Sequence, residues 1–485
     1  MTDHAAQKRL SRGRGGLGGV LPVLLVPLFM YQADATIVNV ANPSIHAHLQ
    51  ATGAELELVI GGYLLASATL FITGARLGQM RGYRRCFLTG LAVFTLASLS
   101  CGLAPTPLVL IAARVAQGVG GALMIPQVLT GIQLNFEEGP HRLRALGLYS
   151  MMLAGGAVTG QILGGVLVSA DLFGSSWRPV FLINVPIGLV ALLAGLRYLP
   201  VDDPRDTSQR LDLPGVVTLT GALLLIVLPL TLGRQHQWPT WTWACLAASL
   251  PLLAAFVAVE RRATARAGGP LVNLRVVARP AIAWGLWPQA LAVSTYYALL
   301  FTLALYLQQG RGFSPLASGL TLLPWVSAFG IPGRLLGRVP AGVTRAVPMT
   351  GCLILAGAYL AISASMFTGV HPEAVVVVLL ALGGFGLGTV FSSILAHLTT
   401  AATPRYAADI SGVFTTGSQV AGAIGIAGFG TLYLSQVSDR GAGQSAHAFA
   451  IITAAFAGVA LIAAATAHKA THVPARQAVA HSGSS

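Results

Sequence analysis

The sequence predicts an all-α polytopic membrane protein, and three observations carry that prediction. Of 485 residues 54% are apolar and 9% charged, where a soluble domain carries about 25% charge, so there are too few charges to cover a surface in water. The apolar residues fall in long runs, many of them near the roughly 20 residues needed to cross the hydrocarbon core. The basic residues, which give a formal net charge of +14, gather in alternate short loops between those runs. That is a membrane signature; no nucleic-acid partner is expected. The same hydropathy excludes intrinsic disorder.

Taken in order, the runs place fourteen helices. The first, 17–41, follows a basic start. With Ala33-Asp34-Ala35 it mimics a secretory leader and its small-x-small cleavage site, but it continues apolar to Val40 and further spans follow at once, so a retained helix is expected. Helices 56–74 and 86–104 flank a loop rich in arginine. The fourth, 107–132, opens at Pro107 after the tight Gly102–Thr106 turn, and the fifth, 144–169, follows Arg142 and Arg144. The sixth, 179–199, opens at Pro179. Two more, 213–232 and 240–259, lie between the charged links Asp202–Asp212 and Glu260–Arg279. Then come 281–307, 315–333, 346–369, 373–401, 410–435 and 446–467. The tails, 1–16 and 469–485, are polar and expected to be mobile.

Charge tests the count independently. With the N-terminus inside, 24 of the 29 basic residues face the cytoplasm, four (Arg178, Arg234, Arg311 and Arg440) lie outside, and Arg114 lies in the membrane. An odd number of helices scrambles this asymmetry, so both termini are expected in the cytoplasm. Two lysines against 27 arginines, with abundant Ala and Gly, fit a high-GC bacterial genome and hence a bacterial inner (plasma) membrane. Cys86, Cys101, Cys245 and Cys352 stand far apart without metal or redox spacing. No metal and no cofactor is expected.

Two charges stay in the membrane. Fourteen of the 15 acidic residues lie at helix ends or in loops, but Asp34 does not; Arg114 is its basic counterpart. A charge near mid-membrane costs about 2.5–3.5 kcal/mol on insertion scales, so each needs a partner or a wet cavity. Both lie about seven residues, roughly 10 Å, below the outer edge. Arg114, Gln117, Gly121 and Met124 share one face of helix 4, and Pro27, Tyr31, Asp34 and Val38 one face of helix 1. A fixed ion pair that holds helices together explains them structurally. A proton-exchanging carboxyl, pulled one way by burial and the other by a guanidinium, explains them functionally.

Several segments resemble the major facilitator superfamily, and within it the fourteen-helix drug:proton antiporters. Asp34-Ala-Thr-Ile-Val-Asn-Val-Ala41 is similar to that family's helix 1 signature, and Arg114-Val-Ala-Gln117-Gly118-Val-Gly120-Gly121 to its helix 4 motif. The resemblance implies proton coupling through Asp34 and Arg114. Trp177–Gly188 and Leu307–Pro324 resemble the stretches entering helix 6 and joining helices 9 and 10. In the loop Ala75–Arg85 the family usually has Asp where Gln79 stands and Gly where Ala75 stands. The resemblance makes Gln79, Arg81, Gly82, Arg84 and Arg85 a cytoplasmic gating loop, with a latch that hydrogen-bonds but cannot ion-pair. The helix 5 signature, Gly156–Gly165, carries Gln161 where Pro is usual. The implied fold is the major facilitator fold as 6+2+6: bundles 17–200 and 281–468, with 201–280 inserted.

A substrate cavity is expected from Tyr31, Gln117, Gln161, Gln289 and Tyr296, a sparse polar set among aromatics that suits an amphipathic ligand. For Tyr31 and Gln117 ordinary interhelical hydrogen bonding is the alternative, and for Gln161 a polar bridge. For any aromatic, interface anchoring is the alternative. The leading expectation is proton-coupled export of small hydrophobic or amphipathic compounds, with protons and the lipid bilayer as partners and a monomer as the working unit. Proton-coupled uptake, or a facilitator, is the runner-up. A membrane enzyme or sensor is disfavoured, because no convergent His, Asp or Cys set and no sizeable soluble domain is present.

Overall fold

The computed structural model describes residues 2–137, 139–171, 174–202, 211–233, 238–265, 270–340, 343–368, 373–401, 406–436 and 442–472. The middles of the two charged links and the tail beyond His472 lie outside them. Among the described residues there is no strand. Thirteen helices there are long and apolar enough to cross a membrane.

The chain divides into two compact units. The first holds Met1–Val272, Phe313–Leu323 and Ala407–Thr416. It begins with α1 (Thr2–Leu49), α2 (Gly53–Arg81), α3 (Tyr83–Gly102), α4 (Pro107–Asn135) and α5 (Pro140–Ala170). Then follow α6 (Pro179–Leu182), α7 (Asn184–Tyr198), α8 (Leu213–Leu232) and α9 (Thr240–Ala265). Within it α1 packs on α5, α4 lies against both α2 and α3, α7 packs on α3 and α1, and α8 pairs with α9 and touches α2. Local chemistry sets the starts. Thr52 and Glu55 form a reciprocal capping box on α2, and those hydrogen bonds hold the Glu55 carboxyl below its usual range. Thr106 caps α4 ahead of Pro107, and Asp212 caps α8.

The second unit holds Asn273–Gly312, Pro324–Tyr406 and Gly417–Ser485. Its helices are α10 (Leu274–Val277) and α11 (Pro280–Leu305), then, after α12 (Pro315–Thr321) of the first unit, α13 (Leu323–Phe329) and α14 (Ile331–Leu335). The rest are α15 (Val347–Thr368), α16 (Glu373–Ala401), α17 (Ala407–Gln436), whose first ten residues belong to the first unit, and α18 (Ala442–His472). Here α15 packs on α16 and α18, and α11 on α18 and α16.

Two expectations change. The tenth run, 315–333, is not one helix but α12, α13 and α14, with breaks at Leu322 and Gly330. Pro324 and Pro332 each remove a backbone donor and crowd the preceding turn, so among the described residues thirteen continuous spans, not fourteen, are found. At the other end, α1 begins at Thr2, and residues expected in a mobile tail continue the helix. Ala5, Ala6, Gln7, Lys8 and Arg9 are all good helix formers.

Glycines let helices of the first unit close on one another. A Cβ on Gly160 of α5 would lie 2.2 Å from the Ala33 carbonyl of α1, next to Asp34, whereas one on Gly165 meets nothing within 4 Å. Gly160→Ala is therefore expected to cost about 1–3 kcal/mol of stability through overpacking against backbone. Gly165→Ala is expected to leave stability unchanged or slightly raised. Thermal melting of the two purified proteins in detergent compares them; equal melting points would remove the close contact from the packing account.

Candidate functional site

Asp34 receives side chains from two other helices, α4 and α7. Arg114 Nη1, from α4, donates to Asp34 Oδ2 in an ion pair. Gln117 Nε2, one turn along α4, donates to Oδ1 at 3.0 Å, and Asn184 Nδ2, the first residue of α7, donates to the same oxygen at 2.8 Å. Ser98 Oγ of α3 accepts from both amides, at 3.2 Å and 3.1 Å, and donates to the Phe181 carbonyl at 2.9 Å. Arg114 is fixed again by donation from Nε to the Val59 carbonyl (3.0 Å) and from Nη1 to Gln117 Oε1 (2.8 Å). Its guanidinium lies 4.1 Å above the Tyr63 ring, a cation–π contact that gains strength away from water. Asp34 is 1% exposed and Arg114 0%.

Such a network is costly to break, even with Arg114 Nη2 lacking a hydrogen-bond partner among the described residues. Removing one partner of a buried pair costs about 3–5 kcal/mol, because the other charge stays buried without compensation. In this closed arrangement the carboxyl has no contact with solvent, so proton exchange requires the surrounding helices to open.

The other expected residues separate into three groups. Tyr31 lies inside the first unit: its hydroxyl donates to Ser67 Oγ of α2 at 2.9 Å, and its ring packs on Tyr63 and against Gly121. Gln161 is half-buried on α5, which runs unbroken where the usual Pro is missing. Gln289 and Tyr296 are buried on α11 of the second unit, and neither the Gln289 amide nor the Tyr296 hydroxyl has a hydrogen-bond partner among the described residues. Buried polar groups are rarely left so.

At the α2–α3 turn, Gln79 Oε1 accepts from Arg76 Nη1 at 2.6 Å. Gly82 makes the turn with φ +104, and a Cβ there would lie 2.0 Å from Asp202 Oδ2. Asp202 accepts from the backbone N–H of Arg84 and of Arg85, both at 3.1 Å, a carboxylate placed on the positive end of α3. Arg84 donates to the Leu196 carbonyl at 2.8 Å, while Arg81 and Arg85 are exposed. Glu260 and Asp409, assigned by sequence to helix ends or loops, are both buried, and Arg76 lies in the field of both.

Sequence reasoning missed Asn184, Ser98 and Asp202 as partners in these networks. Asn184 left one signal, an amide inside an apolar run after Pro179.

The connection to known proteins is direct. Residues 24–426 match the family described as the Major Facilitator Superfamily. The chain belongs to the major facilitator superfamily. It is 36% identical over 431 residues to the cephamycin export protein of Amycolatopsis lactamdurans, covering 86% of this chain and 85% of that one. It is 32% identical over 429 residues to a methylenomycin A resistance protein of Streptomyces coelicolor, covering 88% of each. Among solved structures it matches the human organic anion transporter MFSD10 with a TM-score of 0.63 at 15% identity, over 93% of this chain and 99% of that one, a likeness of fold. Like its superfamily, the chain is a multi-pass membrane transporter of small molecules and not an enzyme.

This superfamily member repeats one packing scheme in both units. A Cβ on Gly118 would strike the Tyr63 carbonyl at 2.5 Å; one on Gly384 would strike the Trp325 carbonyl at 2.1 Å. Gly90 meets Gly120 O and Met124 N, and Gly351 meets Gly386 O and Val390 N. Gly160 meets Ala33 O, and Gly425 meets Ser294 O, both at 2.2 Å. In that register Thr295 stands where Asp34 does, Leu380 where Arg114 does, Tyr359 where Ser98 does and Trp325 where Tyr63 does. Tyr359 donates to Thr295 at 3.1 Å, and Trp325 packs between Tyr296 and Tyr359. Where the first unit has an ion pair the second has the neutral Thr295 and Leu380, with Tyr296, Trp325 and Tyr359 stacked beside Thr295.

Proposed function

We propose that this chain exports small hydrophobic or amphipathic compounds, antibiotics among them, in exchange for protons, by alternating access across a bacterial inner membrane. The observation that carries the reading is the Asp34 carboxylate, held by Arg114, Gln117 and Asn184 and shut off from solvent inside a membrane-spanning bundle. Relatives of similar length named for antibiotic export and resistance support the direction of transport. In this reading Asp34 takes up and releases the proton, and Arg114 is its counter-ion. Their neutral counterparts, Thr295 and Leu380, leave the second unit without an equivalent proton site.

Residues 17–200 and 281–468 work as two six-helix halves with 201–280 inserted, both termini lie in the cytoplasm, and the working unit is a monomer. Gln161 on α5 of the first unit and Gln289 and Tyr296 on α11 of the second are assigned to substrate contact, whereas Tyr31 and Gln117 serve the packing and hydrogen bonds around Asp34. The unpartnered polar atoms of Gln289 and Tyr296 are groups that a ligand can satisfy. The turn with Gln79, Arg81, Gly82, Arg84 and Arg85 gates the cytoplasmic side, with Asp202 holding α3 where an acid at position 79 is missing. Moving one charge through the membrane potential is worth about 2.3 kcal/mol per 100 mV, so one proton per molecule sustains roughly a 50-fold gradient of a neutral solute.

An efflux screen tests this. A drug-sensitive bacterium expressing the chain is challenged with an antibiotic panel, with the pH gradient imposed and then collapsed. Accumulation of at least one compound is expected to fall with the gradient and recover on collapse. Efflux that survives collapse, or none across the panel, would overturn the reading.

A further inference from the structure

The hydrogen bonds around Asp34 have a direction. Three donors converge on its two oxygens, and the acceptors beside it are occupied. Ser98 Oγ takes both amides and gives its proton to the Phe181 carbonyl, while Gln117 Oε1 takes Arg114 Nη1 and the Cys101 thiol at 3.7 Å. A carboxylate, which only accepts, satisfies this set; a protonated carboxyl brings an O–H that faces donors. Accommodating the proton therefore requires one donor to turn or withdraw. Arg114 and Gln117 share α4, where the guanidinium is pinned by Val59 and Tyr63. Asn184 comes alone from α7, just past the break that separates α6 from α7.

We propose that Asn184 is a positioning residue of the proton site: braced by Ser98, its amide fixes Asp34 Oδ1 in the closed, ionised arrangement and releases it when Asp34 takes a proton. The inference rests on the reading of Asp34 as the proton carrier. Asn184 binds no proton itself. Its release links the state of α1 to α7, which packs on α1 and α3, so the same amide that favours the ionised acid also ties two neighbouring helices to it. Losing one hydrogen bond to a buried charge is a large perturbation for such a site.

The test uses the full-length protein in lipid nanodiscs and dicyclohexylcarbodiimide, which attacks protonated buried carboxyls. Modification of Asp34 is followed by mass spectrometry from about pH 5 to about pH 9, a range that brackets shifted carboxyls. Asn184→Ala is expected to move half-modification upward by about one pH unit or more, a tenfold change in proton affinity, about 1.4 kcal/mol. Ser98→Ala, which frees the Asn184 amide to rotate, is expected to move it the same way by less. Melting of each variant is measured alongside, since a purely structural role lowers the melting point without moving the midpoint. Unshifted midpoints in both variants overturn the proposal; if Asn184→Ala does not give a monodisperse protein, an unshifted Ser98→Ala does so alone. A wild-type Asp34 that is never modified across the range instead overturns its reading as the proton carrier.

Discussion

Asp34→Asn is expected to abolish transport driven by a pH gradient while the protein still folds and inserts. The substitution keeps size and shape, so α1 can hold its packing on α5 and α7. It removes the one titratable atom pair in the network. An asparagine Oδ1 can accept from Gln117 and Asn184 as the carboxylate does, but its amide nitrogen then faces Arg114 Nη1, donor against donor. Flipping the amide only turns its NH2 toward the Gln117 and Asn184 donors instead. Part of the cost of an unpaired buried charge, about 3–5 kcal/mol for a broken pair, is therefore expected as a lower melting point. The guanidinium keeps its bonds to Val59 and its place over Tyr63, which limits that loss. Efflux measured in everted vesicles is expected to fall to the level of vesicles lacking the protein, whatever the pH. An unchanged pH dependence in a well-folded Asp34→Asn protein would take Asp34 out of the mechanism.

The charged half of this site was legible because charge in hydrocarbon is expensive and therefore rare. Asp34 and Arg114 stood alone inside apolar runs, and counting turns from the same membrane edge set them at one depth. Asn184 left only an amide inside an apolar run, and Ser98 left no trace. A small polar side chain costs little inside a bundle and occurs throughout these helices, so nothing in the sequence separates the serine that braces two amides from the serines that fold back on their own helix, as Ser150 and Ser249 do. The broken tenth run was hidden for a different reason. Hydropathy stays high from Pro315 to Gly333, and only backbone chemistry, two prolines and their missing donors, divides it. The repeat between the units was hidden too, because it is kept by glycines at backbone crossings while the side chains around them diverge, Tyr63 against Trp325 and Asp34 against Thr295.

Arg114→Ala is expected to be the more damaging substitution for stability. It deletes three hydrogen bonds and a cation–π contact at once and strands Asp34, leaving its Oδ2 with no donor in a site closed to solvent. The loss is expected to reach the upper part of the roughly 3–5 kcal/mol range for breaking a buried pair. A buried carboxylate without a counter-ion is neutralised by a proton, so the surviving protein holds that proton through the cycle and gradient-driven efflux fails. Arg114→Lys is expected to rescue little, since an ammonium can neither stack flat on Tyr63 nor donate in several directions from one plane. The pair Asp34→Asn with Arg114→Gln separates the two roles. With no charge left to compensate, melting is expected to recover most of what Arg114→Ala loses, a coupling that a double-mutant cycle reads directly. Efflux is expected to stay absent, because no group in the network can then carry a proton. Stability restored together with gradient-driven efflux would show that the ion pair only braces α1 against α4, and that the proton travels by another residue.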